Sequence, residues 1–282
     1  MQILEVFAEE LDYVARLCLD PFMVPTWREM MQPAMAVRKE WLKTMMCGGL
    51  RVLVALEKSE DVLSSFSARD RKIRELIIRG KIPKGLIEYA PIELAPEPVT
   101  GKNSLFINCV WVLPKFWNAG VARNLLKRFI EDAAAYGGAS VLAYESDKWF
   151  GYFPYMPVSF FTKFGFREVD RDGSRVLLHL NFGGEEQPRL VYPKIRKVGK
   201  SDKIVVDALF NSQCPWSWWM ADKVKRGMKK YDAVVNVVNT DDKRVVEEYG
   251  LSRGVCINGK PVLKRMASWK EIDFAVKQVV GH

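Results

Sequence analysis

The chain has 282 residues, 49% of them hydrophobic, and a net charge of +9. It is long enough for two compact domains, too apolar for wholesale disorder, and has no uninterrupted apolar run near the ~20 residues that span a bilayer. The basic residues are spread along the chain rather than blocked, which argues against a nucleic-acid partner and is compatible with a polyanionic cofactor.

Residues 2 to 7 read as a strand, followed by a helix through Leu11, Val14, Ala15 and Cys18. Acids occur early and no basic n-region is present, so this is not a signal peptide. A second helix is predicted from about Thr26 to Met46, with Pro33 kinking or dividing it and Trp27, Met30, Met31, Met35, Trp41, Leu42 and Met45 as its apolar set. Residues 50 to 56 form a strand, and the charge-rich residues 57 to 85 read as a surface insertion with a helical stretch from Ser67 to Arg79. Gly85 to Glu93 is the next strand, with Pro91 marking its end, and residues 94 to 102 form a loop. Ser104 to Leu113 is the central strand, and Ser140 to Tyr144 is another.

The stretch from Cys109 to Tyr136 organises the rest. An apolar strand ends near Pro114, a short loop follows, and a helix opens at Gly120 with Val121, Leu125, Leu126, Phe129, Ile130 and Ala133 on one face. A helix that begins directly after a strand leaves backbone N–H groups without intrahelical partners, which makes an anion site, and Gly120 and Ala122 lack the bulk to keep a phosphate away. Val112, Pro114, Gly120 and Ala122 match the Val-x-Pro-x-x-Arg/Gln-x-x-Gly-x-Gly/Ala signature, so the stretch resembles the acyl-CoA motif of the GNAT acetyltransferases. Trp117 departs from it by standing where the family has Arg or Gln. Phe160-Phe-Thr-Lys-Phe-Gly-Phe166 is similar to the family's second motif, with Phe161 in place of the usual tyrosine.

The resemblance implies an α/β (α+β) chain whose residues 1 to 182 carry the GNAT fold with a mixed central sheet. It further implies that acetyl-CoA is the acyl donor, with no metal. The cofactor-binding residues would be Val110, Trp111, Val112, Trp117, Asn118, Ala119, Gly120, Val121 and Ala122. Strand residues Val110 to Val112 would polarise the thioester carbonyl by their amides, and the loop would hold the pyrophosphate. The acceptor is a small-molecule or peptide amine, which must lose a proton before attack. Base candidates are Glu88 and Glu93 on the preceding strand and Glu145 after the next one; Tyr155 or Tyr152, or water, would protonate the CoA thiolate in place of the missing tyrosine. His179 is expected to be structural.

Residues 183 to 201 have the Gly, Pro and alternating charge of a linker, so residues 1 to 182 are expected to fold and bind CoA alone. The pattern then restarts: strand 203 to 210, helix 215 to 228, strand 233 to 238, helix 241 to 249 and a hairpin turning at Asn258-Gly259. A last helix is capped by Ser268 and Glu271 and buries Trp269, Ile272, Val276 and Val279. This order over 202 to 282, with Cys214-Pro-Trp-Ser217 between first strand and helix, resembles a thioredoxin-like domain. Together with Ile87 to Glu93 and Ile107 to Val112 it resembles a GNAT subfamily with a YoaP-like extension. Cys214 would be a reactive thiol where the helix dipole favours thiolate. Ser217 replaces the second cysteine, and Ser252-Arg-Gly254 stands where a cis-proline is usual. The five cysteines are scattered and lack metal-ligand spacing, which points to reduced thiols in a cytoplasm. Two other functions are open. One is a non-catalytic CoA- or protein-binding module, the departures at Trp117 and Phe161 reflecting lost activity; the other is a monothiol redox or metal-handling protein acting through Cys214.

Overall fold

The computed structural model describes residues 1–19, 25–58, 77–145, 155–184, 186–199 and 203–280. Most of the helix expected from Ser67 to Arg79, and Tyr152, lie outside the described residues. The chain divides into two compact units, one of Met1–Leu94, Gly101–Val141 and His179–Gln187, the other of Ala95–Thr100, Leu142–Leu178 and Pro188–His282.

The strands of the larger sheet are β1 (Gln2–Glu5), β2 (Arg51–Lys58), β3 (Lys81–Pro91), β5 (Leu105–Val112), β6 (Gly138–Tyr144), β7 (Arg167–Asp172) and β8 (Arg175–Asn181), in the order β1-β2-β3-β5-β6-β8-β7. In the first unit, β1, β2, β3 and β5 pair antiparallel in succession, and β5 pairs with β6 in parallel from Leu105 to Ile107. The sheet is therefore mixed. Val52 to Leu56 are all buried, as an unbroken apolar run in a strand covered on both faces should be. Each such side chain contributes about 1.5–3 kcal/mol relative to exposure.

The helix Pro25–Cys47 runs through Pro33 without a break, so the expected division does not occur. Pro33 is exposed, and so is Glu29, whose carbonyl loses the intrahelical bond; water can serve it instead. Met31, Ala34, Met35, Trp41 and Leu42 are buried, which makes the methionine stripe mainly core. The side chain of Trp27 lies outside the described residues.

In the second unit, β10 (Val205–Phe210), β11 (Val234–Asn239), β12 (Gly254–Ile257) and β13 (Lys260–Leu263) form a sheet of order β11-β10-β12-β13. β10 runs parallel to β11 and antiparallel to β12. Asn258 and Gly259 take φ of +49° and +76°, as a tight hairpin turn requires. Asp242 caps the helix Lys243–Tyr249 by accepting the Arg244 N–H at 2.9 Å. Ser268 and Glu271 form the expected box, Glu271 accepting the Ser268 N–H at 2.7 Å. That last helix, Trp269–Val280, buries Ile272 and Val276, but Val279 in its final turn is exposed, contrary to expectation. Trp269 is half-buried against Gly227, where any Cβ would meet the indole at 2.0 Å.

From Pro188 the segment with linker composition belongs to this second unit. β9 (Arg189–Leu190) pairs with β4 (Val99–Thr100), inside the expected 94–102 loop, and Val191 N–H donates to the Pro98 carbonyl at 2.8 Å. The Leu190 N–H donates to Asp170 at 2.9 Å, and the Arg196 guanidinium lies 4.0 Å from the Tyr249 ring centroid. Arg196 is thus held against this unit rather than free on a solvated tether.

Candidate functional site

β5 and the helix Val121–Ala133 are joined by a 3₁₀ turn at Pro114–Phe116 and the residues Trp117 to Gly120. Asn118 and Gly120 take φ of +62° and +74°, and Gly120 is the helix N-cap. A Cβ built at Gly120 would meet nothing within 4 Å, so its side-chain direction is open. The Asn124 N–H bonds the Gly120 carbonyl at 3.1 Å and begins the helical ladder; the N–H groups of Val121, Ala122 and Arg123 precede it and have no intrahelical acceptor. Trp117 is 46% exposed, yet its indole Nε1 donates to the Val112 carbonyl at 2.8 Å. The residue that departs from the motif thus ties the loop to the end of the strand.

The strand itself is irregular. Glu88 faces Cys109 and Tyr89 faces Ile107, so Asn108 is the extra residue of a bulge in β5. The parallel ladder with β6 includes Ile107 and stops there, leaving the backbone of Val110, Trp111 and Val112 outside it on that edge. Gly85 opposite Val112 permits the close approach of β3: a Cβ there would meet the Trp111 carbonyl at 2.5 Å. Val110, Trp111, Val112, Trp117, Asn118, Ala119, Gly120, Val121 and Ala122 therefore form one continuous strand end, loop and helix start, all in the first unit.

The catalytic candidates are not brought together. Glu88 on β3 is wholly buried and ion-paired to the wholly buried Arg38. Burial opposes the charge on Arg38, and the neighbouring Cys18 and Glu88 more than offset it, holding the guanidinium above its ordinary range. Glu93 is not on the strand, which ends at Pro91; it is exposed on the 3₁₀ turn Ile92–Leu94. Glu145 follows β6, is about half exposed, and pairs with Arg171 at 2.7 Å. Phe161 is buried between Phe160 and Phe166 and supplies no hydroxyl.

Tyr155 belongs to a buried polar cluster of the second unit that sequence reasoning missed. Its ring centroid is 6.2 Å from that of Tyr144, the last residue of β6, and both are buried. Burial first, and then Glu97, push the Tyr144 phenol well above its ordinary range. Glu97 accepts from Ser252 Oγ and from Arg253 Nη2, each at 2.5 Å, and all three are buried. Arg253 Nη2 is also 3.5 Å from Oε1 of Gln213, which precedes Cys214. Two signals marked the cluster: Glu97 stands between two prolines, and Arg253 occupies the position where a proline was sought.

Cys214 is the partly exposed N-cap of the thirteen-residue helix Pro215–Gly227. The Ser217 hydroxyl, with one proton to donate, lies 2.7 Å from the Asn211 carbonyl and 2.8 Å from the Cys214 carbonyl. Cys256 is buried in β12, its thiol pushed up to about 12 by burial and then by Asp207.

His179 is buried in the first unit, with Nδ1 2.9 Å from Ser140 Oγ, and a Cβ on Gly138 would meet its ring at 2.5 Å. Burial lowers its pKa, against a weaker upward pull from the Ala139 backbone. The unfolded chain then binds the proton more readily than the folded one. Stability should be full above about pH 6.5 and decline as the pH falls below it. In urea titrations from pH 7 to 5, His179→Gln should lose less of its midpoint than wild type; equal losses would remove His179 as the cause.

No protein-family model matches the chain. Over 159 residues it is 30% identical to the uncharacterized N-acetyltransferase YoaP of Bacillus subtilis (strain 168), the match covering 52% of this chain and 58% of that protein. The chain thus spans less than two thirds of that relative. Among solved structures it is similar to the PaiA N-acetyltransferase of Thermoplasma acidophilum in complex with coenzyme A, at 14% identity and a TM-score of 0.39, over 64% of this chain and 99% of that one. An acetyltransferase of Thermus thermophilus gives 12% identity and a TM-score of 0.41, over 64% and 96%. A GNAT-family acetyltransferase of Brucella melitensis in complex with acetyl-CoA gives 16% and 0.36, over 65% and 88%.

Proposed function

We propose that the chain is a cytoplasmic GNAT-type N-acetyltransferase that moves the acetyl group of acetyl-CoA to an amine, small-molecule or peptide. The observation that carries this reading is the open, positive-φ Gly120 at the start of a helix that follows the central strand directly. Three N–H groups and the helix dipole there favour a phosphate. The 30% identity to an N-acetyltransferase supports the same reading.

Backbone N–H groups of residues 110 to 112 would donate to the thioester carbonyl, and 117 to 122 would hold the pyrophosphate. Attack needs a neutral amine, so a base must reach its proton. Glu145 suits that role better than Glu88, because it is half exposed whereas Glu88 is closed off with Arg38. Glu93, exposed on the 3₁₀ turn Ile92–Leu94, is the other carboxylate open to an amine. Tyr155 would give its proton to the departing CoA sulfur. Residues 202 to 282 would be a thioredoxin-like domain, a reading supported by the sheet order β11-β10-β12-β13, the parallel pair β10–β11 followed by two antiparallel steps at β12 and β13, and Cys214 at the first helix.

The test is release of CoA thiol from acetyl-CoA by the purified chain with a panel of primary amines. Amine-dependent release, with acetylated amine as co-product, is expected. Binding of acetyl-CoA without release by any amine would instead favour the non-catalytic module.

A further inference from the structure

A sheet edge presents unpaired N–H and C=O groups, and chains ordinarily guard it with charge, proline, a bulge or a short strand. The edge strand β13 carries Lys260 and Pro261, and its pairing with β12 shifts register between Val255 and Cys256. In the larger sheet, β1 spans four residues, and β7 is charged at every position but Val169. β11 has none of these guards. It reads Val234-Val-Asn-Val-Val-Asn239, with no charge, proline or glycine, and follows β10 over its whole length without a shift in register. Val234 and Val237 are 43% and 40% exposed. Among the described residues, no strand lies on its outer side. The Val234 N–H donates to the Ile204 carbonyl at 2.8 Å and the Thr240 N–H to that of Phe210 at 2.9 Å, so the even-numbered residues turn their backbone groups to β10. Alternation turns the N–H and C=O groups of Val235, Val237 and Asn239 outward. The amide side chains are already used within the chain: Asn236 Nδ2 donates to Asp207 at 2.8 Å and Asn239 Nδ2 to Asp241 at 3.0 Å. Backbone groups and valine are what remains for a partner. A neutral, β-branched run of this kind pairs readily with its own copy.

We infer that β11 is a pairing edge for a second copy of this chain, the two strands antiparallel about a two-fold axis at Val237. In that register Val237 faces Val237 and Val235 faces Asn239. Every outward residue then meets an outward residue, for about six hydrogen bonds in all. Symmetry supplies the complement that a foreign strand would have to bring. No charge lies within the paired run. At its ends, Asp232 of one copy comes opposite Asp242 of the other, and each carboxylate brings its own cation, Lys203 at 2.7 Å and Arg244 at 2.6 Å. The ends therefore meet as ion pairs of mixed sign rather than as bare carboxylates. One strand edge buries less than the ~1,200 Å² of a stable interface, and two chains of net charge +9 repel each other. The dimer is thus one of high concentration, and added salt favours it by screening that repulsion.

The experiment is sedimentation equilibrium of the full chain from micromolar to millimolar concentration, with residue-resolved amide hydrogen exchange at both ends of that range. The weight-average mass should rise toward twice that of one chain. Exchange at Val235, Val237 and Asn239 should slow severalfold at the higher concentration, while Val234, Asn236 and Val238 exchange alike at both. Val237→Lys sets two ammonium groups against each other at the axis. It should keep the wild-type melting temperature at micromolar concentration and abolish both effects. Should that variant not fold, Val235→Pro removes one outward N–H and no bond to β10, and the same losses are expected of it. A mass that stays at one chain throughout, or a dimer that the substitution leaves intact, would overturn the inference. So would outward amides that exchange slowly at every concentration, because the edge would then be covered within the chain itself.

Discussion

Glu88→Ala is expected to lower folding stability by about 3–5 kcal/mol, because it removes one partner of a buried ion pair. Arg38 and Glu88 are both wholly buried, one on the helix Pro25–Cys47 and the other on β3. Arg38 cannot shed its proton under ordinary conditions, so the substitution leaves a buried cation without the carboxylate that faces it. The paired change Arg38→Met with Glu88→Leu should restore most of the loss. Urea unfolding of the three variants checks this directly. The pair also separates two roles for Glu88. If the double variant folds and still releases CoA, Glu88 is structural. If it folds and turnover disappears while acetyl-CoA binding remains, Glu88 is the base and Glu145 is not.

A chain ended at residue 182 is expected to lose cooperative folding of the second unit, although its sequence suggests an autonomous domain. Glu97 would lose Arg253 and Ser252 together with the segment that covers it. Each lost hydrogen bond to a charged group costs about 1.5–3 kcal/mol, against the roughly 5–15 kcal/mol that typically separates folded from unfolded. The Lys243 ammonium would also be gone from the carbonyls of Ala95, Glu97 and Val99, which it bonds at 3.1, 3.0 and 2.8 Å. Asp170 would lose the Leu190 N–H and Tyr192, and Asp172 would lose Lys264. Size-exclusion chromatography and thermal melting should find aggregation or a broad, low transition. A sharp melt within a few degrees of the full chain would contradict this and support two independent domains.

The strand, loop and helix from residue 105 to 133 were legible because their signals are local. Apolar alternation, Pro114, Gly120 and a helical stripe each fix backbone geometry within a few residues. The role of Trp117 was not legible, since sequence spacing does not say that an indole will reach back to the Val112 carbonyl. The uninterrupted helix through Pro33 was missed for a related reason. A proline's effect depends on whether the orphaned carbonyl faces water, which is a property of the packed helix. Linker composition did not show the packing of Arg196, a charge that reads as solvent-facing but packs on Tyr249 and pairs with Asp207 at 3.1 Å. The Glu97–Arg253 pair joins residues 156 apart in sequence, and no periodicity carries such a contact. Glu88 and Glu145 could be proposed as carboxylates on the correct strands, but only burial separates them.

Calorimetric titration of acetyl-CoA into the wild type and Gly120→Trp tests whether the loop before the helix Val121–Ala133 holds the cofactor. The substitution has room on the protein side, with nothing within 4 Å of its Cβ, so the cost it carries is the strain of a side chain at φ of +74°. That strain is about 1–3 kcal/mol, and a melting curve will establish that the variant stays folded. If the N–H groups of residues 121 to 123 receive the pyrophosphate, the indole fills the space the phosphate needs. The wild type should then bind and the folded variant should give no measurable heat. Equal affinities for the two proteins would contradict the account and place the cofactor, if there is one, elsewhere.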